Sequence, residues 1–207
     1  MNIVIPSAAR DLQFVALALL LQTPPVLEND YVRVWRDAAP CASATARCGV
    51  RVIVALSPMS LLVRGAPRQL GRGDIAVFKA SESYEAPKGG SFFEVVIKPN
   101  HPPVTVTGKL VPPAKNAILY QSDDFFVFEE RLPVGDTRAK HGHRERVVIQ
   151  LNRTRLRQWP EGQAEIVRDI EPDRAGFNPP VVHTVKNEGA LPLRGIVIEF
   201  KAKKSAP

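Results

Sequence analysis

Gly135 is followed six positions later by His141-Gly142-His143, and His183 begins a His-x-x-x-Asn run that ends at Asn187. Both stretches read as β-strand. Successive side chains of a strand alternate between faces, so His141 and His143 project the same way, close enough for both rings to grip one ion. A third imidazole from another strand, His183, would complete a facial set. Three neutral nitrogens ~2.0–2.1 Å from an ion, with positions left open for water or substrate, distinguish a reactive metal site from a closed structural one. The competing reading separates the histidines: His-Gly-His on an exposed loop and His183 on a strand edge, each satisfied by water or a neighbour. His101, between Asn100 and Pro102, is expected to be solvent-exposed and without a role.

The elements that must position these rings belong to a chain of 207 residues with 44% apolar side chains, enough for one good core or two small ones. Disordered, collagenous and coiled-coil classes are excluded by that composition. The formal charge of +7 could attract an acidic partner, but the basic residues are scattered. Arg153, Arg155 and Arg157 alternate as the solvent face of a strand would, with no aromatic platform beside them, so no nucleic acid partner is expected. Phe14 to Leu21 form an apolar run of signal-peptide length, too short to cross a bilayer, so no stable membrane insertion is expected. Export to the periplasm or medium is the expectation. Asp11 before the run, the single Arg10 and the missing small-x-small triplet favour the alternative, a cytoplasmic chain with a buried amino-terminal strand or helix. Cys41 and Cys48 lie close enough to staple a hairpin, and two buried thiols explain the pair almost as well. Zinc binding by this pair is not expected, for want of a second Cys-His cluster.

Beyond residue 26 short apolar runs are separated by Pro, Gly, Asn and Asp, which predicts an all-β protein. Candidate strands are 31–35, 50–56, 60–63, 75–78, 92–97, 125–129, 147–151, 164–167, 181–185 and 195–200. Proline-rich segments around Pro99, Pro102, Pro103, Pro112 and Pro113 interrupt any ladder between them. This gives an extension at 1–26, a first unit at 27–98, a connector at 99–116 and a second unit at 117–207. The units look duplicated. Arg51-Val52-Ile53-Val54-Ala55-Leu56 lies over Arg146-Val147-Val148-Ile149-Gln150-Leu151 at an offset of 95, Asp30–Val34 over Asp124–Phe128, and Phe93–Lys98 resembles Gly195–Lys201. A unit of this length repeated twice predicts two similar barrels facing each other rather than a solenoid. Opposite His143 stands Cys48, opposite His141 stands Ala46, and the counterpart of His183 falls near Tyr84. The first unit therefore lacks the ligands and would support or cover the second.

These residues resemble the cupin superfamily of small double-stranded β-helix barrels. Gly135 to His143 followed by Arg146–Leu151 is similar to its first motif, and His183 to Asn187, with Pro179-Pro180 before and Gly189 and Pro192 after, to its second. The resemblance implies two tandem cupin-type jelly-roll barrels, the amino-terminal one degenerate. Two departures stand out. The glutamate ligand of the family would fall near Val147 or Val148, Glu145 arriving too early, and Pro180 sits where a turn glycine is expected.

What remains resembles the three-His version of the site, holding Fe, Mn, Ni, Zn or Cu. The resulting expectation is a small-molecule oxygenase or isomerase acting on an anionic substrate, attracted by Arg146 with Arg138, Lys140 and Arg144 nearby. Trp159 would wall the pocket. No general base is singled out, because the registers of Glu129 and Glu145 are open. The alternative is a non-catalytic ligand-binding or structural barrel protein, with a homodimer formed through its sheet edges.

Overall fold

The structure, a computed structural model, describes residues 23–43, 48–105 and 116–202. The apolar run at 14–21, Ala46 and the Pro112-Pro113 segment lie outside the described residues. Seventeen strands and no helix are found among those described. The first half contains β1 (Leu27–Glu28), β2 (Val32–Arg36), β3 (Val50–Ala55), β4 (Met59–Val63), β5 (Ala66–Leu70), β6 (Ile75–Phe78), β7 (Glu85–Lys88) and β8 (Phe92–Ile97). The second contains β9 (Ala117–Gln121), β10 (Phe125–Leu132), β11 (Thr137–His143), β12 (Arg146–Gln150), β13 (Thr154–Pro160), β14 (Ile166–Ile170), β15 (Arg174–Asn178), β16 (Val181–Asn187) and β17 (Leu193–Phe200).

The duplication expected from sequence is present in the topology. One five-stranded sheet runs β1-β2-β8-β3-β6 and its counterpart runs β9-β10-β17-β12-β15. Across the first sheet Arg51 pairs with Val96, and across the second Arg146 pairs with Glu199, so the offset of 95 between β3 and β12 holds to the residue. The first strand pair corrects the alignment by one position. Val32 pairs with Ile97 as Phe125 pairs with Phe200, so Val32, not Tyr31, corresponds to Phe125. One residue of slip exchanges the two faces of a strand, and the observed register keeps Val32 and Val34 on the same face as Phe125 and Val127.

That face explains why β3, β8, β12 and β17 are apolar almost throughout instead of alternating. Val52, Val54, Val95 and Ile97 from the first half pack with Val147, Ile149, Ile196 and Ile198 from the second in one shared cluster. The opposite faces point into each barrel: Ile53, Phe78 and Phe92 in the first, Phe128, Val148 and Val197 in the second. The two halves are thus sandwiched back to back, with each central strand buried on both sides. Arg72 secures the seam, donating to the carbonyls of Leu56 and Leu151 and pairing with Asp173 at 2.7 Å. His101 corrects its expected exposure. Its half-buried ring stacks on Tyr31 at 5.3 Å and meets Phe200 edge-on at 5.1 Å, because the connector crosses the seam where an aromatic surface is available.

The remaining sheets differ between the halves. The second has β11-β16-β13-β14 and the first only β5-β4-β7. Among the described residues no strand corresponds to β11. The interval between β2 and β3 carries instead a Cys41–Cys48 disulfide with a Cα–Cα separation of 5.7 Å, packed against Trp35 and Val96. The staple expected as one of two readings is therefore the one present. For a loop this short, Cys41→Ser is expected to cost roughly 2–3 kcal/mol, read as a lowered denaturation midpoint that matches wild type under reductant. No helix among the described residues is long and apolar enough to cross a membrane.

Candidate metal centre

Strand pairing brings the histidines together. On β11, His141 and His143 face the barrel interior, and His183 of β16 lies directly opposite His141 in the ladder. All three are buried, with ring centroids 4.7 Å apart for His141 and His183, 4.9 Å for His141 and His143, and 5.5 Å for His143 and His183. One nitrogen of each ring lies within 4.8 Å of the others.

The outward nitrogens are each held by an acceptor. His141 Nδ1 donates to the Ala139 carbonyl at 2.7 Å, His143 Nδ1 to Glu199 Oε2 at 2.8 Å, and His183 Nδ1 to Gln158 Oε1 at 3.2 Å. A neutral imidazole with its proton on Nδ1 presents a bare lone pair at Nε2. His141 Nε2 and His143 Nε2 stand 3.1 Å apart, and His183 Nε2 is buried without a hydrogen-bond partner. Lone pairs cannot bond to one another, whereas a cation between them satisfies both. A separation of 3.1 Å subtends roughly 100° at an ion ~2.0–2.1 Å from each nitrogen, between octahedral and tetrahedral angles. The donor set fits a divalent transition metal.

Electrostatics agree. Burial pushes His143 down to about 3 and, with the neighbouring imidazoles adding to it, His183 down to about 2, and His141 is lowered for the same principal reason. The rings are therefore neutral at physiological pH, as ligation requires. Glu199 is buried beside them, and burial raises its carboxyl to about 7 while the Arg144 N–H, donating at 3.2 Å, and Arg146 oppose the rise.

His143 and His183, with Arg146, Glu130, Gln158 and a mostly apolar remainder, line a cavity of about 200 Å³. Arg146 is buried in that lining, its Nη1 donating to Pro179 O at 2.9 Å and Arg144 O at 3.2 Å. Val148 faces the cavity and Val147 the shared core, so neither supplies a carboxylate. Glu145 is buried elsewhere, accepting from Thr105 N and Thr105 Oγ1 and so tying down the connector. Glu129 turns away from the cavity to pair with Arg194 at 2.7 Å and with Arg131. The cavity carboxylate is Glu130, held by Arg138 at 3.0 Å.

Trp159 corrects the expected pocket wall. It is 39% exposed, because Gln158 and Pro160 on either side of it in β13 take the inward positions. Glu199 and Gln158 went unrecognised as supports of the rings, although a lone carboxylate inside Ile196-Val197-Ile198-Glu199-Phe200 was a signal available in the sequence. Asn187 closes the second motif structurally. Its Nδ2 donates to Leu132 O at 2.9 Å and Leu191 O at 3.0 Å, and its Oδ1 accepts from Thr154 Oγ1 at 2.6 Å and Gly189 N at 3.0 Å.

In the first barrel the equivalent of Glu199 is Val96, packed on the disulfide, and the interior is filled by Arg51, Tyr84 and Glu94. The Tyr84 hydroxyl donates to Glu94 Oε1 and the Cys41 N–H to Glu94 Oε2 at 3.3 Å. The carboxylate that holds His143 in the second barrel thus has no counterpart in the first.

A duplicated pair of facing sheets, with histidines on adjacent strands of one copy, gives the chain the fold of two tandem cupin barrels, the sheets of each left open at their edges. AerE from Microcystis aeruginosa is similar with a TM-score of 0.54 at 15% identity, over 86% of this chain and 96% of that one. A cupin 2 conserved barrel domain protein from Leptotrichia buccalis is similar at 0.52 and 14%, over 86% and 87%. A variant salicylate 1,2-dioxygenase from Pseudoaminobacter salicylatoxidans, in complex with gentisate, has a TM-score of 0.48 at 9% identity, over 81% and 68%. No protein-family model matches the sequence, and no curated protein matches it.

Proposed function

We propose that the carboxy-terminal barrel holds one divalent transition metal through His141, His143 and His183 and acts on a small anionic molecule as an oxygenase or isomerase. The observation that carries this reading is the set of inward lone pairs, fixed by three separate Nδ1 acceptors and brought to 3.1 Å between His141 and His143. When bound, the metal would supply Lewis-acid polarisation of a substrate oxygen.

The chain's own residues provide the rest. Arg146 places a buried positive charge beside the rings, where low dielectric strengthens attraction to an acid. Glu130, clamped by Arg138, is the carboxylate positioned to take or return a proton from a ligand in the cavity. Val148, Leu156 and Ile166 give the same space an apolar lining. The first barrel supports the second through the shared core.

Residence in an oxidising compartment belongs to this reading and is supported by the Cys41–Cys48 disulfide. Metal analysis of the purified protein tests the central claim. Near-stoichiometric iron, manganese, nickel, zinc or copper is expected in wild type and should be lost from His141→Ala with the fold retained. Wild-type protein that folds cooperatively and takes up none of these metals would rule the site out.

A further inference from the structure

β14 and β15 follow each other in sequence but are not hydrogen-bonded, since β14 ends one sheet of the second barrel and β15 ends the other. The cavity runs out between them. It shares Val148, Gln150, Ile170 and Asn178 with an adjoining groove. The ladder between β12 and β15 sets the direction: Arg146 pairs with Asn178, Val148 with Gly176, and Gln150 with Arg174. Alternate residues share a face, so these three rows form a floor that starts at Arg146 and extends ~13 Å along the strands.

Gly176 occupies the middle row. It is not among the residues with positive φ, and nothing lies within 4 Å of where its Cβ would stand. Neither backbone conformation nor close packing calls for glycine there. On the central strand, by contrast, a Cβ on Gly195 would stand 3.4 Å from both Gln150 Oε1 and Ile149 O. What the missing side chain of Gly176 does is keep the floor open. At the far row Gln150 Oε1 is buried without a hydrogen-bond partner, and a buried acceptor calls for a donor.

We propose that the ligand of this site is elongated: an acidic head beside the histidines and Arg146, and a hydroxylated body that lies over Gly176 and donates a hydrogen bond to Gln150 Oε1. The class that combines these features is the polyhydroxy acids. The inference rests on the proposed function only for the head-group end, and Gly176 is the residue that sets permitted length.

Titration calorimetry of the purified protein with glycolate, glycerate, threonate and gluconate tests it. Affinity is expected to rise at least tenfold from glycolate to gluconate. Gly176→Leu removes that rise and leaves glycolate within twofold of wild type. Gly176→Ala, which adds one methyl group to open space, does the same in lesser degree and covers the case in which the leucine variant does not fold. Gln150→Leu weakens gluconate alone. Wild-type affinity that is flat or absent across the series overturns the proposal, as does a Gly176 variant that weakens glycolate and gluconate equally. Metal content measured on the same samples separates the two readings, because a flat series with metal bound removes only the elongated ligand, and a length-dependent series without metal removes only the metal.

Discussion

Phe200→Ala is expected to cost about 3–5 kcal/mol and to loosen both barrels in the same transition. The ring is fully buried, on the face of β17 that forms the seam between the halves. It meets Tyr31 of the first half at 5.2 Å and His101 of the connector at 5.1 Å. Truncation removes apolar contact and leaves a cavity walled by strands from both five-stranded sheets, which are tied into their ladders and cannot collapse to fill it. The cost is therefore shared. Denaturation followed by Trp35 fluorescence in a Trp159→Phe background, which reports on the first half, and by the signal of metal bound at the proposed site of the second should give one midpoint for both probes, lower than in the Trp159→Phe parent. Two resolved midpoints would show that the halves are stabilised separately and that the common cluster contributes little.

The same seam determines what could be read from the sequence. The central strands β3, β8, β12 and β17 are legible as continuous apolar runs because both of their faces are buried, and the repeat is legible for the same reason. The edges are not. Ala66–Leu70 and Glu85–Lys88 contain Pro67 and Pro87 and are largely exposed, which edge strands tolerate and sequence patterning discounts. β9 and β15 lack clean alternation because each borders only one neighbour. His141, His143 and His183 were legible because the chemistry resides in residue type and local spacing. Their supports were not, since Glu199 reaches His143 across 56 positions and Gln158 reaches His183 across 25. Trp159 failed for a related reason: its neighbours, not its type, decide which face of β13 it occupies. Glu129 and Glu130 show the same dependence, adjacent in sequence but opposite in direction, one on Arg194 and the other in the cavity.

At the proposed metal site, Glu199→Ala is expected to weaken metal binding by about 10–100-fold while leaving all three imidazoles in the chain. The carboxylate holds His143 at Nδ1 and accepts the backbone N–H of Arg144, so it fixes both the ring's tautomer and the end of the strand that carries it. Without that acceptor, His143 can place its proton on Nε2 and rotate, and the lone pair no longer points at the ion. Glu199→Gln keeps an oxygen that can accept from Nδ1 and should recover most of the affinity. A role confined to packing makes a different prediction, because alanine and glutamine would then differ in melting temperature but not in metal affinity measured on the folded fraction. The first barrel carries neither group: where β17 has Glu199, β8 has Val96, and the position opposite His143 is Cys48, closed in a disulfide.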